Sequence, residues 1–257
     1  MITLSVNVNK VATLRNARGG DVPSVTEAVA VCLGAGAPGI TVHPRADQRH
    51  ITRRDVEQLA EQLGTPSRPG VQPRPDPAAV EFNIEGDPRA DLVDLVVAAR
   101  PHQCTLVPVV PGEVTSQAGW SESTSPERLT AVIARLHAEG IRVSLFVDPE
   151  EAPIRWARRL GADRIELYTE PFAKAFAGSR AAGRASFETY AAAATLAHSL
   201  GLGINAGHDL DLRNLEIFRE LPHLDEVSIG HALISHALYV GLDRAVRDFL
   251  AAVGHRP

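Results

Sequence analysis

His43, His208 and His231 each stand where a short apolar run gives way to polar residues, in "GITVHP", "INAGHD" and "VSIGHA". An imidazole's ordinary pKa lies near neutrality, so it can take or give a proton under working conditions. One such histidine is ordinarily a hydrogen-bonded structural group. Three, at the ends of three different runs, point to proton transfer. Glu85 closes "FNIEG", and Glu166 sits inside "RIELY" among apolar neighbours. Carboxylates are seldom buried without a partner. Glu85 therefore reads as a base in an open mouth, and Glu166 equally as a functional group or half of a structural ion pair.

A second chemistry is anion binding. Arg45 and His50 follow His43 in "ITVHPRADQRHI", and Arg18 lies in the basic stretch "TLRNARGG", read as a loop beyond Asn7, Asn9 and Lys10. The arginine fork matches phosphate oxygens. Gly207, ahead of His208 and Asp209, and Gly230, ahead of His231, let the backbone approach a ligand closely. A metal held by His43, Asp47, His50, His208 and His231 is the alternative. No HxH, HExxH or cysteine cluster supports it, and Arg45 and Lys10 would repel a cation. Other histidines, such as His137, His198 and His223, read as surface or packing residues.

Eight short apolar segments are positioned to carry these groups. Strands are predicted at 2–8, 39–43, 80–84, 104–108, 142–148, 164–168, 203–206 and 226–229. Helical patterns such as "SVTEAVAVCLGAGA", "SPERLTAVIARLHAEG", "EAPIRWARRLGA" and "FETYAAAATLAHSLG" lie between them, several ending in glycine. In "SPER", Ser125 is predicted as N-cap, with Pro126 in the first turn. Strands alternating with helices over such a length predict an α/β fold, a (β/α)8 barrel. A doubly wound sheet is the alternative, but the glycine-rich fingerprint it often carries after the first strand is absent. Barrel active sites lie at the C-terminal strand ends, which is where these residues fall, and the loops after strands seven and eight often bind phosphate. The proline-rich stretch 64–79 precedes a strand, so it is expected as an exposed insertion on the opposite face.

Composition narrows the classes. The chain has 257 residues, 44% hydrophobic and only 5% aromatic, with a formal net charge of -5, and its pI is near 6.1. These values fit a globular barrel domain with an aliphatic core and argue against a general nucleic acid binder. Cys32 and Cys104 sit apart in apolar settings and are expected as buried free thiols. No signal peptide or apolar run of the roughly 20 residues that span a bilayer is evident, so a cytoplasmic, soluble protein is expected.

Taken in order, "VNVNKVATLRNARGG", "ITVHPRADQRHI", "FNIEG", "EVTSQAGW", "VSLFVDPE", "IELYTE", "INAGHDL" and "IGHALISHALYVGLDRAV" make the chain resemble the pyridoxine 5′-phosphate synthase family along nearly its whole length. The resemblance implies a TIM barrel with additional helices, assembled as a homo-octamer of dimers. It implies condensation of 1-deoxy-D-xylulose 5-phosphate with 3-amino-2-oxopropyl phosphate, releasing phosphate and water, with no metal or organic cofactor. By position, His43 and Glu85 match the family's proton acceptors, His208 its proton donor and Glu166 a group that stabilises the transition state. Arg45, His50 and Thr115 match holders of the deoxyxylulose phosphate. Asn7, Arg18, the backbone at Asp209, and Gly230 with His231 match holders of the amino-ketone phosphate, Arg18 reaching into a neighbouring subunit's site. Where the better-known branch has Asp-His, this chain has Asn9 and Lys10; Tyr168, Glu170 and Asp209 replace His, Gly and Gly. The "PGEVTSQAGW" stretch is a natural lid. Another phosphosugar barrel enzyme, an isomerase or aldolase, and a non-catalytic sugar-phosphate binder are the competing readings.

Overall fold

The computed structural model describes residues 1–64, 80–108 and 118–255. Thr115, most of the "PGEVTSQAGW" stretch and all of the proline-rich stretch except Gly64 lie outside them. Eight parallel strands close into a barrel in chain order, each hydrogen-bonded to the next and β8 to β1. They are β1 (Thr3–Asn7), β2 (Gly39–Val42), β3 (Glu81–Gly86), β4 (Gln103–Leu106), β5 (Arg142–Val147), β6 (Arg164–Leu167), β7 (Gly203–Ala206) and β8 (Leu224–Ile229).

The helices are α1 (Asn9–Asn16), α2 (Val25–Gly34), α3 (Arg53–Gln62), α4 (Ala90–Ala99), α5 (Pro126–Ala138), α6 (Glu151–Leu160), α7 (Glu170–Gly178), α8 (Arg180–Ser199), α9 (Leu215–Phe218), α10 (His231–Val240) and α11 (Leu242–Ala252). Among the described residues each strand is followed by one helix of the outer ring, α11 after β8; α1, α7 and α10 are additional and open at the C-terminal strand ends. Residues 13–16, the first half of the stretch 13–20 expected as loop, instead belong to helix α1, which buries Val11 and Ala12. Ser125 occupies the N-cap of α5, but its hydroxyl bonds the Glu127 carboxylate instead of a backbone N–H.

Two different interiors follow from strand alternation. Outward-facing residues such as Leu4, Val6, Ile40, Val42, Phe82 and Ile84 pack against the helices as one aliphatic core. The alternate positions are polar and also buried, including Ser5, Thr41, Asn83, Thr105, Ser144, Glu166, Asn205, Glu226 and Ser228. Barrel interiors are more often filled by branched apolar residues. Here several of the polar groups bond one another, as buried polar groups generally do, while Ser144 Oγ has no partner among the described residues. Ser5 and Thr41 hydroxyls lie 2.6 Å apart, Asn83 donates to Thr41 at 3.3 Å, Thr105 donates to Asn83 at 3.1 Å, and Arg164 donates to Asn205 at 2.8 Å. Cys32 and Cys104 are buried and free, as expected.

Candidate active site

A cavity of about 640 Å³ opens at the C-terminal ends of the strands. Its first wall comes from β1, β2 and the segments after them. Asn9 opens α1 and accepts a hydrogen bond from the His43 backbone N–H at 2.9 Å, tying the start of α1 to the end of β2. Asn7 accepts from the Asn9 N–H at 3.1 Å. The loop from Arg45 to His50 is fixed from behind. Asn16 donates to the His50 carbonyl at 2.8 Å. Arg15 clamps Asp55 through two bonds, at 2.5 and 2.9 Å, and Asp55 closes a capping box with Thr52 at the start of α3. Burial would raise the Asp55 carboxyl, but hydrogen bonds from Arg15 and Thr52 outweigh it and hold it low. Lys10, Arg45, Arg49 and His50 consequently face the cavity together. Burial, reinforced by Arg45 and Arg49, pushes His50 down to about 4, so at neutral pH it offers a hydrogen bond and no charge.

His43 and Glu85 meet at the centre. His43 Nδ1 lies 3.9 Å from a Glu85 carboxylate oxygen. Burial holds His43 well below its ordinary range, helped by His50 and Arg45. Burial also lifts Glu85 to about 8, aided by Glu226 and opposed by the Ser228 hydroxyl. The contact at neutral pH thus joins a neutral imidazole to a carboxylic acid rather than forming an ion pair. Glu166, on β6, is likewise pushed up to about 8, by burial and by Glu85. Both carboxyls exchange protons close to neutrality, as general acid–base groups require.

The opposite wall is acidic: Glu166, Glu170, Asp209 and Asp211 line it around His208. Tyr168 donates to Glu170, which also pairs with Lys174 at 2.8 Å. Gly230 precedes the N-terminus of α10, where His231 stands. A side chain at Gly230 would come within 3.1 Å of Asn7, so glycine eases the close approach of β8 to β1 there. The rim between β4 and β5 is fastened by Trp120, whose indole donates to the Leu106 carbonyl at 2.8 Å.

Thirteen of the residues singled out from the sequence line this one cavity: Asn7, Asn9, Lys10, His43, Arg45, His50, Glu85, Glu166, Gly207, His208, Asp209, Gly230 and His231. Arg18 is exposed in the turn after α1 and is not among the lining residues. The sequence reading did not select Arg49, Glu170, Phe146 or Ser228, which also line it. Arg49 lies in the same "PRADQRHI" stretch as Arg45, and that proximity was its signal. Among the described residues no cluster of three or more His, Cys, Asp or Glu is placed to hold a metal ion.

Residues 4–255 match the family model described as pyridoxal phosphate biosynthesis protein PdxJ. The chain is 50% identical over 250 residues to the pyridoxine 5′-phosphate synthase of Porphyromonas gingivalis, covering 97% of this chain and 98% of that protein. It is 48% identical over 256 residues to the synthase of Leptospira biflexa, covering 97% and 96%. More distant structures share the barrel alone. Thiamine phosphate pyrophosphorylase from Pyrococcus furiosus has a TM-score of 0.60 at 13% identity, over 98% of this chain and 95% of that one. Phosphoribosyl anthranilate isomerase from Thermotoga maritima has a TM-score of 0.57 at 11% identity, over 98% of each. The extent of the family match and the half-identical relatives place this chain in the PdxJ family of pyridoxal phosphate biosynthesis proteins.

Proposed function

We propose that the chain is a pyridoxine 5′-phosphate synthase, condensing 1-deoxy-D-xylulose 5-phosphate with 3-amino-2-oxopropyl phosphate to pyridoxine 5′-phosphate, phosphate and water. The observation that carries this reading is the presence, in one cavity, of a cationic wall and two acid–base centres, His43 with Glu85 and His208 with Glu166. An isomerase or aldolase needs one acid–base pair. Ring formation needs several proton transfers: the amine and carbonyl condense to an imine with loss of water, carbon-bound protons are removed, phosphate and water leave, and closure and aromatisation follow.

In this reading His43, held neutral, accepts a proton, and Glu85 in its ionised form is a strong base because its conjugate acid is weak. His208 gives a proton to a departing oxygen. Glu166, protonated below about 8, donates a hydrogen bond to charge developing on the substrate. Arg45, His50 and Thr115 hold the deoxyxylulose phosphate, with Lys10 and Asn9 alongside. Asn7, the backbone at Asp209, Gly230 and His231 hold the second phosphate, completed by Arg18 from a neighbouring copy in a cytoplasmic homo-octamer of one-domain subunits. No metal, cofactor or nucleic acid enters the scheme.

Steady-state kinetics of two variants test these assignments. Arg45→Ala is expected to raise KM for the deoxyxylulose phosphate by more than about 10-fold while largely sparing kcat. Glu85→Gln is expected to lower kcat by roughly 10²- to 10⁴-fold with KM little changed. The reverse pattern would contradict the roles given to Arg45 and Glu85.

A further inference from the structure

His208 presents an unequal ring. Its Nδ1 is fully buried and has no hydrogen-bond partner within normal geometry among the described residues. The side chain as a whole is nonetheless 27% exposed, so the open part of the imidazole is the opposite edge, toward the cavity that His208 lines. The Asp209 carboxylate, which can accept a proton, stands beside Nδ1, with Oδ2 at 3.5 Å. That separation exceeds an ordinary N–H···O bond, but catalytic hydrogen bonds are often long in an empty site and tighten once substrate is bound.

Both partners are held in place. The imidazole lies against Tyr168 and Phe146, with ring centroids 5.5 and 6.4 Å away. The Thr169 hydroxyl donates to the His208 carbonyl. Asp209 adopts a left-handed backbone, φ 65°, a conformation that costs most residues energy and that Asp and Asn tolerate best after glycine. It is fixed by Asn214, whose amide donates to the Asp209 carbonyl at 3.0 Å. Asn214 is in turn held by Asp211, which accepts its backbone N–H at 2.8 Å.

We propose that Asp209 is a positioning residue for His208: its carboxylate accepts the Nδ1 proton, and so keeps Nε2 as the nitrogen that exchanges protons with the substrate. An Nδ1 lone pair facing a carboxylate would be repelled, whereas Nδ1–H is attracted. A neutral histidine has one N–H, and the partner of one nitrogen decides what the other can do. The Asp209 carboxyl is held below its ordinary value, first by the adjoining His208 imidazole and then by His231 and Lys174. Other titratable groups facing this pair are Glu166 from β6, Tyr168 at its end and Glu170 at the start of α7. The role in turnover rests on the synthase reading above; the tautomer does not.

The test separates the two. In ¹⁵N-histidine-labelled protein, the His208 imidazole, assigned by its loss in His208→Asn, is expected to show a protonated Nδ1 and, when neutral, a bare Nε2. Asp209→Asn and Asp209→Gly both suit the left-handed backbone, so both should fold, and both are expected to move the neutral ring toward the Nε2–H form. Turnover should drop about 10-fold in kcat with KM within about 2-fold, a modest part of the 10²- to 10⁴-fold that acid–base groups supply, because the carboxylate is 45% exposed. An unchanged tautomer in both variants would overturn the proposal whatever the activity. A tautomer shift in a chain that never makes pyridoxine phosphate would keep it and reject the synthase reading.

Discussion

Glu85 and Glu166 tie function to stability. Each is a carboxyl raised by burial to about 8 against an ordinary 4.5. The folded chain therefore holds protons that the unfolded chain releases well below neutrality. Stability tied to them is complete below about 4.5 and is lost as pH rises through about 8. Glu166→Gln, which keeps the shape and removes the ionisation, is expected to melt higher than the parent at pH 9 and near it at pH 5, a gap on the order of a few kcal/mol. A lower melting temperature than the parent at pH 9 would show that Glu166 is held as a carboxylate by its neighbours. In the proposed reaction the same pair takes part in proton transfer. If ionised Glu85 is the proton acceptor, kcat/KM should climb with pH toward about 8, and that limb should vanish in Glu85→Gln. At this scale the sequence was informative: the histidines and glutamates it singled out at strand ends line one cavity. It did not reveal Glu170 or Arg49, because helix starts and loops rich in charge look alike whether they face a cavity or solvent.

Elements decide whether these groups meet. The strands were legible to within two residues, since short aliphatic runs bounded by glycine and proline have few other uses. The polar barrel interior went unread, although "LSVN", "FNIE", "VSLF" and "INAG" alternate polar with apolar residues. That period-two pattern carries two faces, one toward the helices and one toward the barrel axis. Helix α1 was hidden by its basic composition; its fixed position comes from Arg15 on Asp55 and Asn9 on His43, contacts across 40 and 34 residues that local patterns do not encode. The passage of β7 beside β8 is equally tight. A methyl at Gly207 would lie 2.5 Å from the Ser228 carbonyl oxygen and 3.2 Å from Glu166. Gly207→Ala is thus expected to cost about 1–3 kcal/mol and to lower activity through Glu166 and His208. Wild-type melting and turnover in this variant would show that the two strands can spread apart.

Across the whole molecule, Arg18 is the residue that one chain leaves unexplained: exposed, outside its own cavity, and matched by resemblance to a group that serves a neighbour. Exposed apolar side chains lie on the surrounding segments, Leu14 on α1, Val22 in the turn beyond it, and Leu238 and Tyr239 on α10. Assembly is expected from the family resemblance alone, because a surface that meets another copy looks in one chain like any patch with scattered apolar groups. If Arg18 acts in trans, Arg18→Ala and Glu85→Gln should each be nearly inactive alone. Co-refolded together, they should regain up to roughly a quarter of parent activity, since mixed pairs of subunits hold one intact site. No recovery on mixing would place Arg18 outside the site.

The most direct measurement is the stoichiometry of turnover. Purified protein, with and without EDTA treatment, is supplied with 1-deoxy-D-xylulose 5-phosphate and 3-amino-2-oxopropyl phosphate, and pyridoxine 5′-phosphate is followed by absorbance beside inorganic phosphate. The account predicts equal amounts of both products, unaffected by EDTA and abolished in His208→Asn. A folded protein that binds both substrates and yields no pyridoxine 5′-phosphate would contradict it.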